Sequence, residues 1–91
     1  MVTLSARVVF YIPHSNSLKD KRMVARSLTA QVRNKFNASI AEVDTQDKWQ
    51  TLTLGIAVVS GEYSHARAMI DEIIRYMEAS ADGDLMEEEI I

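Results

Sequence analysis

The chain has no cysteine. That absence excludes a disulfide framework, a thiolate metal site and a cysteine nucleophile. Glycine occurs only 3 times, and neither a glycine-rich phosphate loop nor a Gly-x-Ser-x-Gly elbow is present. The only histidines are His14 and His65, and nothing in their spacing supplies the further ligands a metal site needs. No run approaches the ~20 apolar residues that span a bilayer. The start of the chain lacks a basic leader followed by an apolar core. These two absences point to the cytoplasm, with no membrane partner. The carboxylate pairs Glu42/Asp44 and Glu87/Glu89 share strand faces, but paired carboxylates do acid–base work only inside a cleft. The expectation is a protein that is not an enzyme and takes no metal or small-molecule cofactor.

What is present is an uneven charge. The net charge is −3 over 91 residues. From Ser17 to Phe36, however, Lys19, Lys21, Arg22, Arg26, Arg33 and Lys35 oppose Asp20 alone, giving +5 and leaving −8 elsewhere. From Asp71 onward, Asp71, Glu72, Glu78, Asp82, Asp84, Glu87, Glu88 and Glu89 face only Arg75. A basic face can coexist with an acidic total.

The length suits one small domain, residues 1–91, with a single core. Residues 2–13 alternate, with Val2, Leu4, Ala6, Val8, Phe10 and Ile12 on one face, which predicts a half-buried strand closed by Pro13. Ser17 is a good N-cap, and Asp20 three residues on makes an acidic capping box. The helix that follows, 18–36, carries Val24, Ala25, Leu28, Val32 and Phe36 as its apolar stripe. Lys19, Arg22, Arg26 and Arg33 fall within a sector of roughly 60° elsewhere on it. Lys21 and Lys35 lie nearer the stripe, where long side chains snorkel. Residues 38–44 read as a short edge strand, with a bulge near Ala41-Glu42 to reconcile Ile40 with Val43. Residues 49–60 alternate again and complete a hairpin. Residues 62–79 predict a second helix, started by Ser60 or Gly61, with Ala66, Met69, Ile70, Ile73, Ile74 and Met77 as its stripe. After Asp82-Gly83, residues 85–91 suggest a last strand. The order βαββαβ predicts an α+β two-layer sandwich, ferredoxin-like, with a four-stranded antiparallel sheet.

Three segments also resemble a known family. Ser17-Leu18-Lys19-Asp20-Lys21-Arg22 is similar to its helix start. Phe36 to Asp44 followed by Gln46-Asp47-x-Trp49-Gln50 is similar to its second signature, and Leu54 to Ser60 to its third. The family is the YlxP-like group of small bacterial proteins, a domain of unknown function. The resemblance covers residues 2 to 80 and implies a ferredoxin-like fold and a gene among translation and ribosome-maturation genes. It implies no activity.

Two surfaces stand out. Lys19, Lys21, Arg22, Arg26 and Arg33 are the candidate nucleic-acid contacts, because cations on one helix face can track phosphates. The competing reading is a solvated helix face neutralised by the acidic C-terminal half. The outward sheet face, with Val9, Tyr11, Thr53, Ala57 and Val59, and the hairpin residue Trp49 are candidate interface residues. A homodimer or a docked protein suits that face better than base stacking, since Tyr11 is its only aromatic. Trp49 suits an interface hot spot or a cover for the open end of the core. Function is therefore expected in one of two classes. One is a non-enzymatic accessory protein contacting ribosomal or translation-related RNA. The other is a homodimeric interaction module without nucleic acid.

Overall fold

A computed structural model describes residues Met1–Ile91. The elements are β1 (Val2–Tyr11), α1 (Leu18–Lys35), β2 (Ser39–Glu42), β3 (Thr51–Ser60), α2 (Tyr63–Ser80) and β4 (Asp84–Ile90). The four strands lie in the order β2-β3-β1-β4, and every neighbouring pair is antiparallel. α1 packs over β2 and β3, and α2 over β1 and β3. This is the α+β sandwich that the element order predicts.

The alternation of β1 sets the frame. Leu4, Ala6, Val8 and Phe10 are buried under the helices, and Ile12 continues the series past the strand end. β1 pairs with β3 over its whole length, from Val2 opposite Ser60 to Tyr11 opposite Thr51. That register puts Leu52, Leu54, Ile56 and Val58 on the same buried face. A one-residue slip would turn the whole set to solvent, so the pattern specifies the pairing. Ala25, Leu28 and Val32 of α1 and Ala66, Ile70, Ile73, Ile74 and Met77 of α2 close the core from above.

The structure departs from the expected pattern at three places. β2 carries no bulge. Ile40 pairs with Ile56, and Glu42 with Leu54, so Glu42 itself faces the helices. Val43 falls on the other side, where its side chain lies over Gly55. The irregularity sits instead in β4, between the rungs at Val9 and Phe10, where Met86 is the extra residue. α2 starts later than Ser60 or Gly61. Glu62 is its N-cap and makes no side-chain cap bond. Ser60 Oγ instead accepts from the Glu62 N–H at 3.3 Å and sits 2.9 Å from His65 Nδ1.

Gly83 in the α2–β4 turn is required by a close approach. A Cβ there would lie 2.5 Å from the Tyr11 carbonyl oxygen and 2.6 Å from Ile12 Cδ1. Only a residue without a side chain lets this turn pass over the end of β1.

Candidate nucleic-acid interface

The start of α1 is held by its own side chains. Ser17 Oγ accepts from the Asp20 N–H at 3.1 Å. Asp20 Oδ2 accepts in return from the Asn16 N–H at 2.9 Å, one residue earlier than in the usual capping box. Buried Ser15 donates from Oγ to the Ser17 carbonyl at 3.0 Å. One free N–H of the first turn, that of Asp20, is therefore met internally, and the cations beside it must be judged one by one.

Lys21 is a structural cation. Its side chain is 0% exposed, and its Nζ lies 2.7 Å from Glu42 Oε2, on a side chain itself 17% exposed. It also donates to the Thr45 carbonyl. Lys21 extends the buried Ala25, Leu28, Val32 stripe one turn toward the N-terminus. It therefore points at the sheet and reaches the one inward position of β2 that carries a carboxylate. It neither snorkels to solvent nor is free to meet a phosphate, so it leaves the set of nucleic-acid contacts.

The Glu42 end of this pair leads into residues 43–50, which are strapped down. The Val43 N–H donates to the Thr53 carbonyl at 2.9 Å. Thr45 Oγ1 accepts from the Thr53 N–H at 3.0 Å and lies 3.0 Å from Thr53 Oγ1. Asp44 takes the left-handed conformation, φ 63°, which aspartate tolerates better than most residues. The strap covers Thr53, which is 0% exposed. Thr53 is on the outward side, as its parity predicts, but it is not an interface residue, because the strap fills the space above it. At the far end, Gln50 Nε2 donates to the Ser15 carbonyl at 3.3 Å, and the Ile12 N–H donates to the Gln50 carbonyl at 2.8 Å. Residues 43–50 are thus tied both to β3 and to the segment leading into α1. Trp49 does not seal the core; it stands 50% exposed.

The remaining cations of α1 are open. Lys19, Arg22 and Arg26 are exposed, and no carboxylate is in ion-pair range of any of them. Arg33 is exposed but tethered, donating from Nη2 to the Ile40 carbonyl of β2 at 2.7 Å. Lys35 Nζ sits 5.3 Å from the centre of the Tyr76 ring, a cation–π geometry. No carboxylate of the C-terminal strand is in ion-pair range of a cation of α1. β4 and β2 are the two opposite edges of the sheet, about 14 Å apart at the usual strand spacing. Asp82, in the turn before β4, lies on the other side of α1, where it lines a small pocket with Met23, Ser27 and Gln31.

The outward sheet face is chemically different. Its single cation, Arg7, lies 3.7 Å from Asp44 and 3.9 Å from Glu87, long and solvated pairs of small energetic weight. A shallow groove of about 400 Å³ runs over Ser5, Arg7, Ser39, Gly55 and Ala57, walled by Val43. Val9 and Ala57 are half-buried, Tyr11 is exposed and Val59 is 58% exposed. With acids flanking its only cation, this face does not attract phosphate. On α2, hydrogen bonding to Asp71 and then to Tyr63 raises the pKa of Arg67, which stays charged. No three His, Cys, Asp or Glu side chains are gathered to hold a metal, and no helix is long and apolar enough to cross a membrane.

The chain is 35% identical over 65 residues to the uncharacterized protein YlxP of Bacillus subtilis (strain 168), 71% of each chain being covered. It is also similar to a de novo designed protein with a ferredoxin fold, LFR1 1. There the TM-score is 0.62 at 16% identity, over 99% of this chain and 85% of that one; this shows the ferredoxin-like fold alone. Residues 3–90 match the family described as "Protein of unknown function (DUF503)", and the chain belongs to that family.

Proposed function

We propose that the protein is a non-enzymatic RNA-contacting accessory protein that binds through the exposed face of α1. The observation that carries this reading is the set Lys19, Arg22 and Arg26, open to solvent and without an acidic partner in a chain of net charge −3. Unpaired cations on one rigid helix face are an electrostatic footprint for phosphate. Lys19 to Arg26 spans about 10 Å along the helix axis, a line rather than a point. Arg33 can extend the line while keeping its bond to β2. Ribosomal or translation-related RNA is the proposed partner, in the cytoplasm. The test is binding of ribosomal RNA fragments as salt is varied. Three or four phosphate contacts give a log–log slope between about −2 and −3.6. No affinity at low salt overturns the reading.

A second reading rests on the outward sheet face, which no helix covers; Val59 is 58% exposed at one end of it, next to half-buried Ala57 and opposite Thr3, while Val9 and Tyr11 lie toward the other end. Packing of this face against a second copy would bury it. Sedimentation of wild type and Val59→Glu separates the two readings. A wild-type dimer that the variant dissociates supports the homodimer, and a monomer in both ends it.

A further inference from the structure

We infer that the ligand of the α1 end of the molecule is a single-stranded stretch of RNA, with one base stacked on the Trp49 indole and adjacent phosphates on Lys19 and Arg22. This rests on the RNA reading above and adds to it the form of the nucleic acid and the residue that grips a base.

The starting observation is an exposed aromatic on an immobilised strap. Trp49 is the only tryptophan of the chain, and half its surface faces solvent. Tryptophan, with a large apolar ring and an N–H donor, is enriched at binding surfaces. Residues 43–50 are bonded at both ends, through Val43 and Thr45 to Thr53 and through Gln50 to Ile12 and Ser15. The Lys21 ammonium ties Thr45 to α1 from inside. The backbone that carries the indole is therefore held at both ends, and little backbone freedom remains to be lost on stacking.

The second observation is where the frame sits. Gln50, next to Trp49, donates to the Ser15 carbonyl, two residues before the Ser17 cap. Lys19 and Arg22 open the helix from that cap, and exposed His14 and Lys48 lie in the two segments that meet there. Open cations and an open indole thus share one end of the molecule. Single-strand binders combine these two elements, charge for the backbone and an aromatic platform for a base. A duplex keeps its base faces stacked inside and offers the indole nothing. The outward sheet face, with Arg7 held between Asp44 and Glu87, is not the track.

The single tryptophan makes the test direct. The full chain is titrated at low salt with a single-stranded adenylate oligomer of about twelve nucleotides, within the usual range of single-strand sites. The same strand paired to its complement is titrated in parallel. Trp49 emission is expected to be quenched, and shielded from iodide, by the single strand and not by the duplex. Trp49→Ala is expected to weaken single-strand binding by about 5- to 150-fold, the fold-change for one stacked base. Trp49→Phe, which keeps a ring face, is expected to retain most of the affinity. Single-strand binding that leaves Trp49 emission unchanged and is equal in Trp49→Ala overturns the inference and leaves the phosphate reading of α1 intact. Equal quenching by the duplex also overturns it. No binding of either form overturns both.

Discussion

Lys21→Met is expected to destabilise the fold by about 3 kcal/mol, the lower end of the range for breaking a buried ion pair by removing one partner. The substitution fits the stripe of Ala25, Leu28 and Val32 and opens no large cavity. Its cost comes from what it leaves behind. Glu42 Oε2 faces inward with the Lys21 ammonium as its partner at 2.7 Å, and the Thr45 carbonyl loses its donor. Against a total stability of about 5–15 kcal/mol for a small domain, that loss is large. It corresponds to a fall in Tm of about 12–24 °C at this size. The double variant Lys21→Met/Glu42→Leu is expected to recover most of it, because an apolar pair can replace a buried ion pair at little or no cost. Urea unfolding reads both, as a lower midpoint at unchanged slope for the single variant and a midpoint near wild type for the double. A single variant within about 0.5 kcal/mol of wild type, the range of ordinary surface changes, would contradict the structural role of Lys21.

Arg22→Glu/Arg26→Glu is expected to do the reverse. Both side chains are exposed and unpaired, so stability should stay within about 0.5 kcal/mol of wild type. RNA affinity should fall. With three or four contacts, wild type loses about 20- to 150-fold in affinity between about 50 and 200 mM salt. Two contacts fewer leave a loss of only about 3- to 12-fold over the same range. The contrast divides the basic residues of one short segment. Lys21 holds α1 to β2 and to the strap, whereas Arg22 and Arg26 face solvent.

That division is only partly written in the sequence. The elements are legible because β1 and β3 alternate over ten residues each and α1 and α2 repeat at three and four. The Ser17 cap is legible because the hydroxyl and Asp20 stand at capping distance. Two further signals were available. Lys21 is four residues before Ala25 and seven before Leu28, which places it on the buried stripe. Glu42 is two residues after Ile40, which places it on the buried face of β2. Each looks wrong alone, and together they are a pair. A bulge at Ala41-Glu42 is the expectation that results when Val43, rather than Glu42, is given the inward position.

The fate of Thr53 was not legible. Its outward parity is correct, but its burial depends on a strap bonded to it from residues 43–45, and no local periodicity encodes what a loop will cover. The same holds for Arg33, whose bond to the Ile40 carbonyl comes from the way α1 lies along the β2 edge. The strand order puts the acids of β4 at the sheet edge opposite β2. It follows from topology, and composition alone leaves the pairing of these acids with α1 open.

The most direct test of the proposed RNA-binding face is the salt slope of single-stranded RNA binding for three proteins. These are wild type, Lys21→Met/Glu42→Leu and Arg22→Glu/Arg26→Glu. The expected slopes are equal for the first two and flatter by about 1.4 for the third. A third protein that binds as tightly and as salt-dependently as wild type would contradict the assignment of α1 as the RNA-binding face.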